Sequence, residues 1–529
     1  MSLTVTLPPA WSAVPRSTLT DFADRVFTAG GDTPALLFDD GATFTFNQLR
    51  DGVERLAGAL RSRIGAGDRV LLAIGNRAEY LIAYFAVIAN RAVVVNAGPD
   101  LGPADAEHLV GQSSCRMALA EGRAVDVLRG LGPGSPLREV VALDRPEPDG
   151  FANWVGGTEP MPLSEAAGQQ ADLVDIGFTS GTTGMPKALG GTHLEPLRYA
   201  DVQLRVSGLT ADDRPFVPLQ FYYGDGLYLA LAAWQLGASI AVMRRFSVSR
   251  FWTAARAVGA TRLYTIGSIP NLLLTAAPSP AERAHTIRSA SAVGVPAAQH
   301  RELQERFGFP WLEVYGSSES GPALCMPPDL AERYVGTGAI GVPLPDVRAR
   351  IVAADGTVVD GPGEGELELA GNVLFTGYLG DQAATDEMLH DGWLRMGDLV
   401  RRDEDGMYYF LGRAKEVIRR GGQNVAPAEV EAVLRRHPVV VDAAVVPVPD
   451  QLWGEEILAY VQVKSITGQT PADLAEFCAH HLAAFKVPRY VRLRDTAFPR
   501  TPSHRIVKRD LAPGGRHRSV GAWDRQATR

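Results

Sequence analysis

Two patterns of apolar residues follow each other in turn along the first part of the chain, one typical of buried strands and the other typical of helices. A short continuous apolar run at 70–74 predicts a buried strand, and the apolar spacing over 49–60 and 79–89 predicts helices. Asn47 directly precedes the first helix and is a candidate for its N-cap. Residues 130–170 are rich in Gly, Pro and Asp and predict a surface connection with short strands. Strands that alternate with helices indicate an α/β fold with a parallel sheet under helical cover.

The pattern changes after residue 336. Short alternating runs at 347–352, 357–359 and 366–370 are separated by glycine-containing turns and predict antiparallel hairpins. A helix, two strands and a second helix over 428–482 predict a small α+β unit. The expected architecture is a large N-terminal domain with mixed and parallel sheets, a small antiparallel barrel-like part, and a small mobile α+β C-terminal domain.

The length of 529 residues is too great for one compact core, so several domains are expected. We place the large domain at residues 1–413 and the small domain at 414–515, because the pattern of the last unit begins just after Gly412. The remaining residues, 516–529, are expected to form a flexible tail.

The composition is that of a globular protein, with 46% hydrophobic and 21% charged residues. The net charge is −8, and the absence of a long basic block argues against a nucleic-acid partner. Cys115, Cys325 and Cys478 are far apart and indicate buried thiols rather than disulfides or a zinc site. The N-terminus lacks a secretory signal pattern, and the apolar segment 80–89 is too short to span a bilayer. The chain is therefore expected to be cytoplasmic, without a membrane partner.

Candidate chemistry begins in a loop with four hydroxyl side chains and two glycines, namely Thr179, Ser180, Gly181, Thr182, Thr183 and Gly184. Lys187 follows shortly after. Backbone N–H groups, hydroxyls and an ammonium together can hold a polyphosphate. The apolar run 173–178 predicts a strand that enters this loop, and α/β proteins bind ligands at strand ends. It is not a Walker loop, because Ala188 stands where Ser or Thr would hold magnesium. Without other motifs, a loop of this composition is equally typical of an ordinary turn.

Together with Tyr315–Glu319 and the segments around Asp398 and Arg413, this loop makes the chain resemble the adenylate-forming enzymes. That superfamily contains acyl- and aryl-CoA synthetases, adenylation domains of peptide synthetases, and luciferases. The resemblance runs from about residue 20 to about residue 511. It implies ATP-dependent activation of a carboxylic acid to an acyl-adenylate, followed by transfer to a thiol. The implied cofactors are ATP, Mg²⁺ and, as acceptor, CoA.

The resemblance also implies roles for individual residues. Lys187 and Glu319 are catalytic, and Glu319 is the ligand of Mg²⁺, since a hard cation on phosphate oxygens takes one or two carboxylates. Tyr315 stacks on adenine, and Asp398 and Arg413 reach the ribose. The implied nucleotide-binding set is Thr179, Ser180, Gly181, Thr182, Thr183, Gly184, Gly294, Pro296, Tyr315, Gly316, Ser317, Ser318, Asp398 and Arg413. In that set Gly294 and Pro296 stand in Ala-Val-Gly-Val-Pro, where the family has Ser-Gly-Gly-Ala-Pro.

Lys415 falls at the family's hinge, about which the small domain turns between the two half-reactions. The segment that contains Gly421, Gly422 and Gln423 resembles the glycine loop that CoA ligases bring over the pantetheine channel. This resemblance favours CoA as the thiol acceptor.

The largest departure from the family lies near the C-terminus. The family has Pro-x-Thr-x-x-Gly-Lys, and this chain has His504 and Arg505 in place of the glycine and the lysine. Arginine keeps the charge but is a longer planar group. Three interpretations follow: Arg505 performs the lysine's catalytic role with altered geometry, Lys508 reaches the site instead, or the first half-reaction is weakened or has an unusual substrate.

The candidate acid pocket is the segment Phe221, Tyr222, Tyr223 and Gly224, together with Val293 and Val314. These aromatics could simply be core residues. As a group they resemble the corresponding stretch of benzoate-type CoA ligases, and an aromatic slot suits a flat acid better than a zwitterion. Val314, where many relatives have glycine, would shorten the pocket. The sequence therefore favours a small, aromatic carboxylic acid.

Three other functions remain open at this point. The protein could load a carrier protein instead of CoA, or it could be a diverted family member that activates nitrous acid to diazotise an aryl amine. A non-enzymatic alternative is a nucleotide-binding pseudoenzyme, although retention of Lys187, Glu319, Asp398 and Arg413 argues against it.

Overall fold

The computed structural model describes residues 18–147, 151–179, 186–267, 269–371, 377–420, 423–463, 470–500, 506–512, 517 and 519–527. Its α-helices are α1 (Leu19–Gly30), α2 (Phe46–Leu60), α3 (Ala78–Ala89), α4 (Pro103–Ser113), α5 (Arg123–Arg129), α6 (Phe151–Gly157), α7 (Leu194–Ser207), α8 (Asp225–Gln235), α9 (Phe251–Ala257), α10 (Ile269–Thr275), α11 (His300–Phe307), α12 (Gln382–Met388), α13 (Pro427–Arg435) and α14 (Pro471–His481).

The strands within these residues are β1 (Pro34–Phe38), β2 (Thr43–Thr45), β3 (Arg69–Ala73), β4 (Val93–Ala97), β5 (Met117–Ala120), β6 (Glu139–Ala142), β7 (Leu173–Thr179), β8 (Lys187–Thr192), β9 (Pro215–Val217), β10 (Ile240–Val242), β11 (Arg262–Ile266), β12 (Ser289–Val293), β13 (Trp311–Ser317), β14 (Gly321–Cys325), β15 (Ala339–Pro343), β16 (Val347–Val352), β17 (Val358–Val359), β18 (Gly363–Gly371), β19 (Leu389–His390), β20 (Trp393–Arg402), β21 (Tyr408–Arg413), β22 (Ile418–Arg420), β23 (Gln423–Val425), β24 (Val440–Asp450), β25 (Gly454–Val463), β26 (Tyr490–Arg494) and β27 (Trp523–Asp524).

Two sheets form the large domain. One has six strands in the order β6-β5-β3-β4-β7-β8, parallel except for the β7–β8 pair. The other has 15 strands and runs from β17 at one edge to β2 at the other. The predicted mixed α/β fold with a large and a small domain is confirmed.

The predicted antiparallel part is continuous with the larger sheet. Strand β13 pairs in parallel with β12 on one side and antiparallel with β14 on the other, so the hairpins extend the same hydrogen-bonded sheet. This junction matters because the predicted nucleotide-binding residues of β13, β20 and β21 lie in one continuous sheet.

Helix α3 shows why the first half packs as it does. All of its residues except Glu79 are buried, and it contacts both α1 and α2. A helix that is apolar on every side is stable only where neighbours cover every side. Helix α3 is therefore the centre of a helical layer that packs against the six-stranded sheet.

Three local expectations are corrected by the structure. Thr45, not Asn47, is the N-cap of α2: its hydroxyl accepts from the Gln48 N–H (3.2 Å), while Gln48 accepts from the Thr45 N–H (2.9 Å). Asn47 instead donates to Asp32 (2.8 Å). The stretch 130–170 contains the short strand β6, as predicted, but also helix α6, which was not predicted.

The third correction concerns the tail. Strand β27 pairs with β26, and Arg489 binds both oxygens of Asp524 (3.1 Å). Residues 519–527 are thus part of the small domain's sheet rather than the flexible tail predicted for 516–529. The boundary between the domains near residue 413 stays a prediction.

None of the helices in the described ranges has both the length and the apolar character that crossing a bilayer requires.

Candidate active site

A cleft of about 2090 Å³ collects most of the predicted site residues that the structure describes. Those that line it are Thr179, Lys187, Tyr222, Tyr223, Val293, Gly294, Gly316, Ser317, Ser318, Glu319 and Arg413. Phe221, Gly224, Pro296, Val314, Tyr315, Asp398 and Gln423 are not part of its wall. Ser180, Gly181, Thr182, Thr183, Gly184, Gly421, Gly422 and Arg505 lie outside the described residues.

The phosphate side of the cleft lies at the end of β7. Thr179 closes that strand and pairs in register with Lys187, the first residue of β8. The candidate phosphate loop is the stretch of sequence that joins these two positions. Thr179 and Lys187 both line the cleft, so the strand pairing directs both ends of the loop to the same place.

Lys187 and Glu319 are brought together by a tyrosine that the sequence analysis missed. The Lys187 ammonium lies 4.8 Å from the centre of the Tyr378 ring, and the Tyr378 hydroxyl donates to Glu319 Oε1 at 2.7 Å. Burial raises the pKa of Tyr378, and the Glu319 carboxylate raises it further. Tyr378 therefore keeps its proton and orients Glu319. A lone tyrosine in a loop carries no sequence signal for this role.

The loop that presents Glu319 is internally braced. The Ser317 N–H donates to Ser320 Oγ (3.0 Å), and the N–H groups of Glu319 and Ser320 donate to Ser317 Oγ (both 3.2 Å). Gly316 is required at its start, because a Cβ there would lie 2.1 Å from the Gly321 carbonyl oxygen. The turn is thus fixed before any ligand binds.

Three predicted ribose and adenine residues form one hydrogen-bonded group. Asp398 and Arg413 face each other across β20 and β21, with Arg413 Nε 3.0 Å from Asp398 Oδ1. The Tyr315 hydroxyl donates to Asp398 Oδ2 at 2.5 Å. Arg413 lines the cleft, whereas Asp398 and Tyr315 are buried directly behind it. The Tyr315 ring thus orients the carboxylate in this structure, and its stacking on adenine stays a prediction.

Glu313 is a second residue that the sequence analysis missed. Its carboxylate accepts the N–H groups of Gly294 (2.7 Å) and Val295 (2.5 Å), which fixes the turn beside the predicted adenine site. Gly294 adopts a positive φ of 92° there and lines the cleft. Burial raises the pKa of Glu313 to about 8, although the two N–H donors act against this shift. The sequence signal that could have identified Glu313 is the presence of a charged residue within the apolar strand at 311–314.

Replacement of Glu313 tests this positioning role. In Glu313→Gln an amide NH₂ faces a backbone N–H, so one donor of the turn loses its acceptor. We expect the KM for ATP to rise about 10-fold with a smaller change in kcat, since an unmade hydrogen bond of this kind costs about 1–3 kcal/mol. Pyrophosphate exchange at varied ATP measures this. Glu302→Gln, on the exposed face of α11, is the matched control; equal KM values in both variants would contradict the role.

The acid side of the cleft differs from its expected arrangement. Phe221 is fully buried and stacks on Tyr80, with ring centres 5.7 Å apart, while Tyr222 and Tyr223 line the cleft. These residues form a single 3₁₀ turn, in which successive side chains point in different directions, so only one of the three turns into the core. Val314 is also fully buried, which does not support its predicted role in shortening the pocket.

Further polar and aromatic side chains complete this side of the cleft. Tyr199 and Tyr228 stack with ring centres 4.4 Å apart, and the Tyr264 hydroxyl donates to Asp225 Oδ1 at 3.2 Å. All four residues line the cleft. The Tyr199 hydroxyl also donates to the Ser318 carbonyl (3.0 Å), which joins the acid side to the loop that carries Glu319.

The small domain contributes the remaining wall. Lys415 lies in the 3₁₀ turn Ala414–Glu416, directly after β21 and next to the predicted domain boundary. Glu416, Val417 and Arg419 line the cleft and lead toward the predicted acceptor loop, of which Gln423 is exposed at the start of β23. Lys508 does not itself line the cleft, and its ammonium is paired with Glu416 (2.5 Å) and Glu431 (3.0 Å). This arrangement does not support the interpretation in which Lys508 reaches the reacting groups.

Comparison with known sequences gives the family. The profile described as AMP-binding enzyme matches residues 22–379, and the profile described as AMP-binding enzyme C-terminal domain matches residues 429–505. The chain belongs to this family. It is a member of the adenylate-forming superfamily, as the phosphate loop and the residues around Glu319 and Asp398 predicted.

Similar proteins support the same placement of this adenylate-forming enzyme. A sulfoacetate–CoA ligase of Cupriavidus necator is 31% identical over 91% of this chain and 94% of that protein. A fatty acid–[acyl-carrier-protein] ligase, ScoC, of Streptomyces coeruleorubidus is 30% identical over 90% and 93%. The o-succinylbenzoate CoA synthetase of Bacillus subtilis, solved with an acyl-adenylate, shares the fold with a TM-score of 0.82 at 24% identity, over 94% and 99% of the two chains.

The adenylate-forming enzyme is thus an AMP-forming acid–thiol ligase of the acyl- or aryl-CoA ligase type, for which ATP and CoA are the implied co-substrates. The pseudoenzyme alternative is not supported. Within the described residues no group of three or more His, Cys, Asp or Glu could hold a metal ion. A single carboxylate, Glu319, fits Mg²⁺ that is bound mainly by nucleotide phosphates and water.

Proposed function

We propose that this ligase activates a small aromatic carboxylic acid with ATP and transfers the acyl group to CoA. The observation that carries the proposal is the aromatic lining of the acid side of the cleft by Tyr222, Tyr223 and Tyr264, in the same cavity as Lys187 and Glu319. Aromatic walls bury a flat ring and stack on its faces, whereas they give a long flexible chain no comparable geometric match.

In the first half-reaction the substrate carboxylate attacks the α-phosphorus of ATP, and pyrophosphate leaves. The Lys187 ammonium binds phosphate oxygens, and Asp398, held by Arg413 and Tyr315, accepts the ribose hydroxyls. Mg²⁺ on Glu319 would supply charge neutralisation at the phosphates. No side-chain nucleophile is needed, because positioning and charge stabilisation account for most catalysis of this kind.

In the second half-reaction the CoA thiol attacks the acyl carbon of the acyl-adenylate and the bond between that carbon and the bridging oxygen breaks. AMP leaves with this oxygen, which came from the substrate carboxylate, while the thiol proton passes to solvent. We assign the hinge of the small domain to Lys415 and the cover of the acceptor channel to the loop around Gly421, Gly422 and Gln423. The position of Arg419 in the cleft wall, directly before that loop, supports the assignment.

ATP–pyrophosphate exchange over a panel of acids tests the proposal. Benzoates and cinnamates should support exchange, whereas fatty acids, α-amino acids and nitrite should not. Thioester formation with CoA is then measured for each acid that responds. Exchange with fatty acids or nitrite alone would overturn the aromatic assignment, and exchange with no acid would overturn the ligase assignment altogether.

A second acceptor is favoured by one specific observation, the similarity to ScoC, whose name states a carrier-protein ligase. For every acid that responds in the exchange assay, holo carrier protein is therefore tested beside CoA as the acceptor of the acyl group. Faster thioester formation on the carrier than on CoA would replace CoA in the proposal.

Arg505 gives a separate prediction. We propose that it takes the place of the family's catalytic lysine, which stabilises charge at the α-phosphate. Arg505→Lys should then keep exchange within about threefold of the wild type or raise it, because a compact ammonium restores the family geometry. Arg505→Met, which has no charge, should lose most of the exchange. Collapse in both variants would show that the guanidinium has a task that lysine cannot perform.

A further inference from the structure

One carboxylate on the acid side of the cleft has no role in the chemistry described so far. Asp225 is the first residue of α8 and lines the cleft beside Tyr228 and Tyr264. Its Oδ1 accepts one hydrogen bond, from the Tyr264 hydroxyl. No salt bridge in the described part of the chain involves Asp225.

The neighbouring carboxylate of Asp175 makes the contrast clear. Tyr84 donates to Asp175 Oδ2 (3.1 Å), and the Asn96 amide reaches both of its oxygens (3.1 and 3.0 Å), so its acceptors are used within the protein. A carboxylate can accept about four hydrogen bonds. Asp225 lines the cavity and has one donor from another residue, Tyr264, besides its own backbone N–H, so it keeps acceptor capacity.

The surroundings make this capacity costly unless a ligand uses it. The walls near Asp225 are the rings of Tyr199, Tyr228 and Tyr264, and burial raises the pKa of Asp225 to about 6, opposed by the Tyr264 hydrogen bond. A carboxylate that loses water without gaining donors is unfavourable. An uncharged or positively charged donor on the ligand would remove that penalty, whereas a second anionic group would increase it.

We propose that Asp225 is a specificity-determining residue of the acid site, where it accepts a hydrogen bond from an amino group on the aromatic acid. The substrate class is therefore an amino-substituted aromatic carboxylic acid. This inference rests on the proposed function and deepens it. The tyrosine rings hold the flat ring of the substrate, and Asp225 selects its substituent.

The experiment compares benzoate, the three aminobenzoates and the three benzenedicarboxylates in pyrophosphate exchange by the full-length protein. At least one aminobenzoate should exceed benzoate by about 10- to 100-fold in kcat/KM, because a site built to pair with a donor rejects the analogue that lacks it. The dicarboxylates should fall below benzoate. Equal values for benzoate and all aminobenzoates would overturn the inference while leaving the aromatic proposal standing, and no exchange with any aromatic acid would overturn both.

Two variants locate the effect. Asp225→Asn keeps the volume of the side chain and should cut the ratio of aminobenzoate to benzoate kcat/KM by at least 10-fold. Asp212→Asn, on an exposed loop, should leave that ratio unchanged. A merely structural role for Asp225 would lower both substrates in parallel, so an unchanged ratio in Asp225→Asn would contradict the inference. The wild-type comparison stands even if that variant does not fold.

Discussion

Replacing Lys187 by methionine should lower ATP–pyrophosphate exchange by about 10²- to 10³-fold, the usual cost of removing one donor from a preorganised anion site. Lys187 lies in the wall of the cleft, at the end of the candidate phosphate loop, with its ammonium over the Tyr378 ring. Methionine keeps the length and the apolar part of the side chain, so the pairing of β7 with β8 should persist. Initial exchange rates at saturating acid measure the loss.

Lys486→Met is the matched control, since Lys486 binds Glu429 on the small domain (2.7 Å to each oxygen) and does not line the cleft. Its exchange should stay within about twofold of the wild type, as expected for a surface ion pair. Thioester formation from a synthetic acyl-adenylate adds a second readout. That reaction has no β- or γ-phosphate, so Lys187→Met should affect it far less; equal losses in both assays would contradict a phosphate role.

Replacing Asp398 by asparagine should weaken the binding of ATP and AMP on the order of 100-fold, because two charge-assisted hydrogen bonds to the ribose are lost or weakened. The carboxylate is nearly buried, at 3% exposure, and is held by Tyr315 and Arg413. We also expect a loss of about 1–3 kcal/mol in the free energy of unfolding, because Arg413 loses its counter-ion. Calorimetric titration with AMP and thermal unfolding measure the two effects separately.

Asp360→Asn, an exposed position next to β17 in the same sheet, controls for a general effect of removing one negative charge. It should change neither AMP binding nor unfolding. Addition of AMP should also raise the unfolding temperature of the wild type, because a ligand that binds only the native state stabilises it, whereas Asp398→Asn should respond little. A normal thermal response in Asp398→Asn would show that the ribose is bound elsewhere.

Periodicity in the sequence was enough to predict the α/β architecture, because burial of one helical face or of a whole strand leaves a repeating pattern. The runs at 70–74 and 347–352 thus correspond to β3 and β16. The pairing of β13 with both β12 and β14 could not be predicted in this way. It depends on contacts between distant segments, and no local pattern records which strand lies beside which.

The candidate site shows the same division. The resemblance to the adenylate-forming enzymes predicted Lys187, Glu319, Asp398 and Arg413. Lys187, Glu319 and Arg413 line the cleft, and Asp398 is joined to it through its ion pair with Arg413. The prediction that Phe221 lines the acid pocket was wrong, because a 3₁₀ turn decides which of three adjacent aromatic rings faces the core. Glu313 and Tyr378 were missed because their roles come from hydrogen bonds to residues 18 to 59 positions away.

The hydrogen bond from Tyr378 to Glu319 has a consequence for turnover. One oxygen of this carboxylate already accepts a hydrogen bond from the protein. A cation held by Glu319 at that oxygen would therefore have to displace the phenol and not only water. Because the Tyr378 hydroxyl competes for the same oxygen, it would weaken the hold of Glu319 on the cation and so favour release of the cation with pyrophosphate.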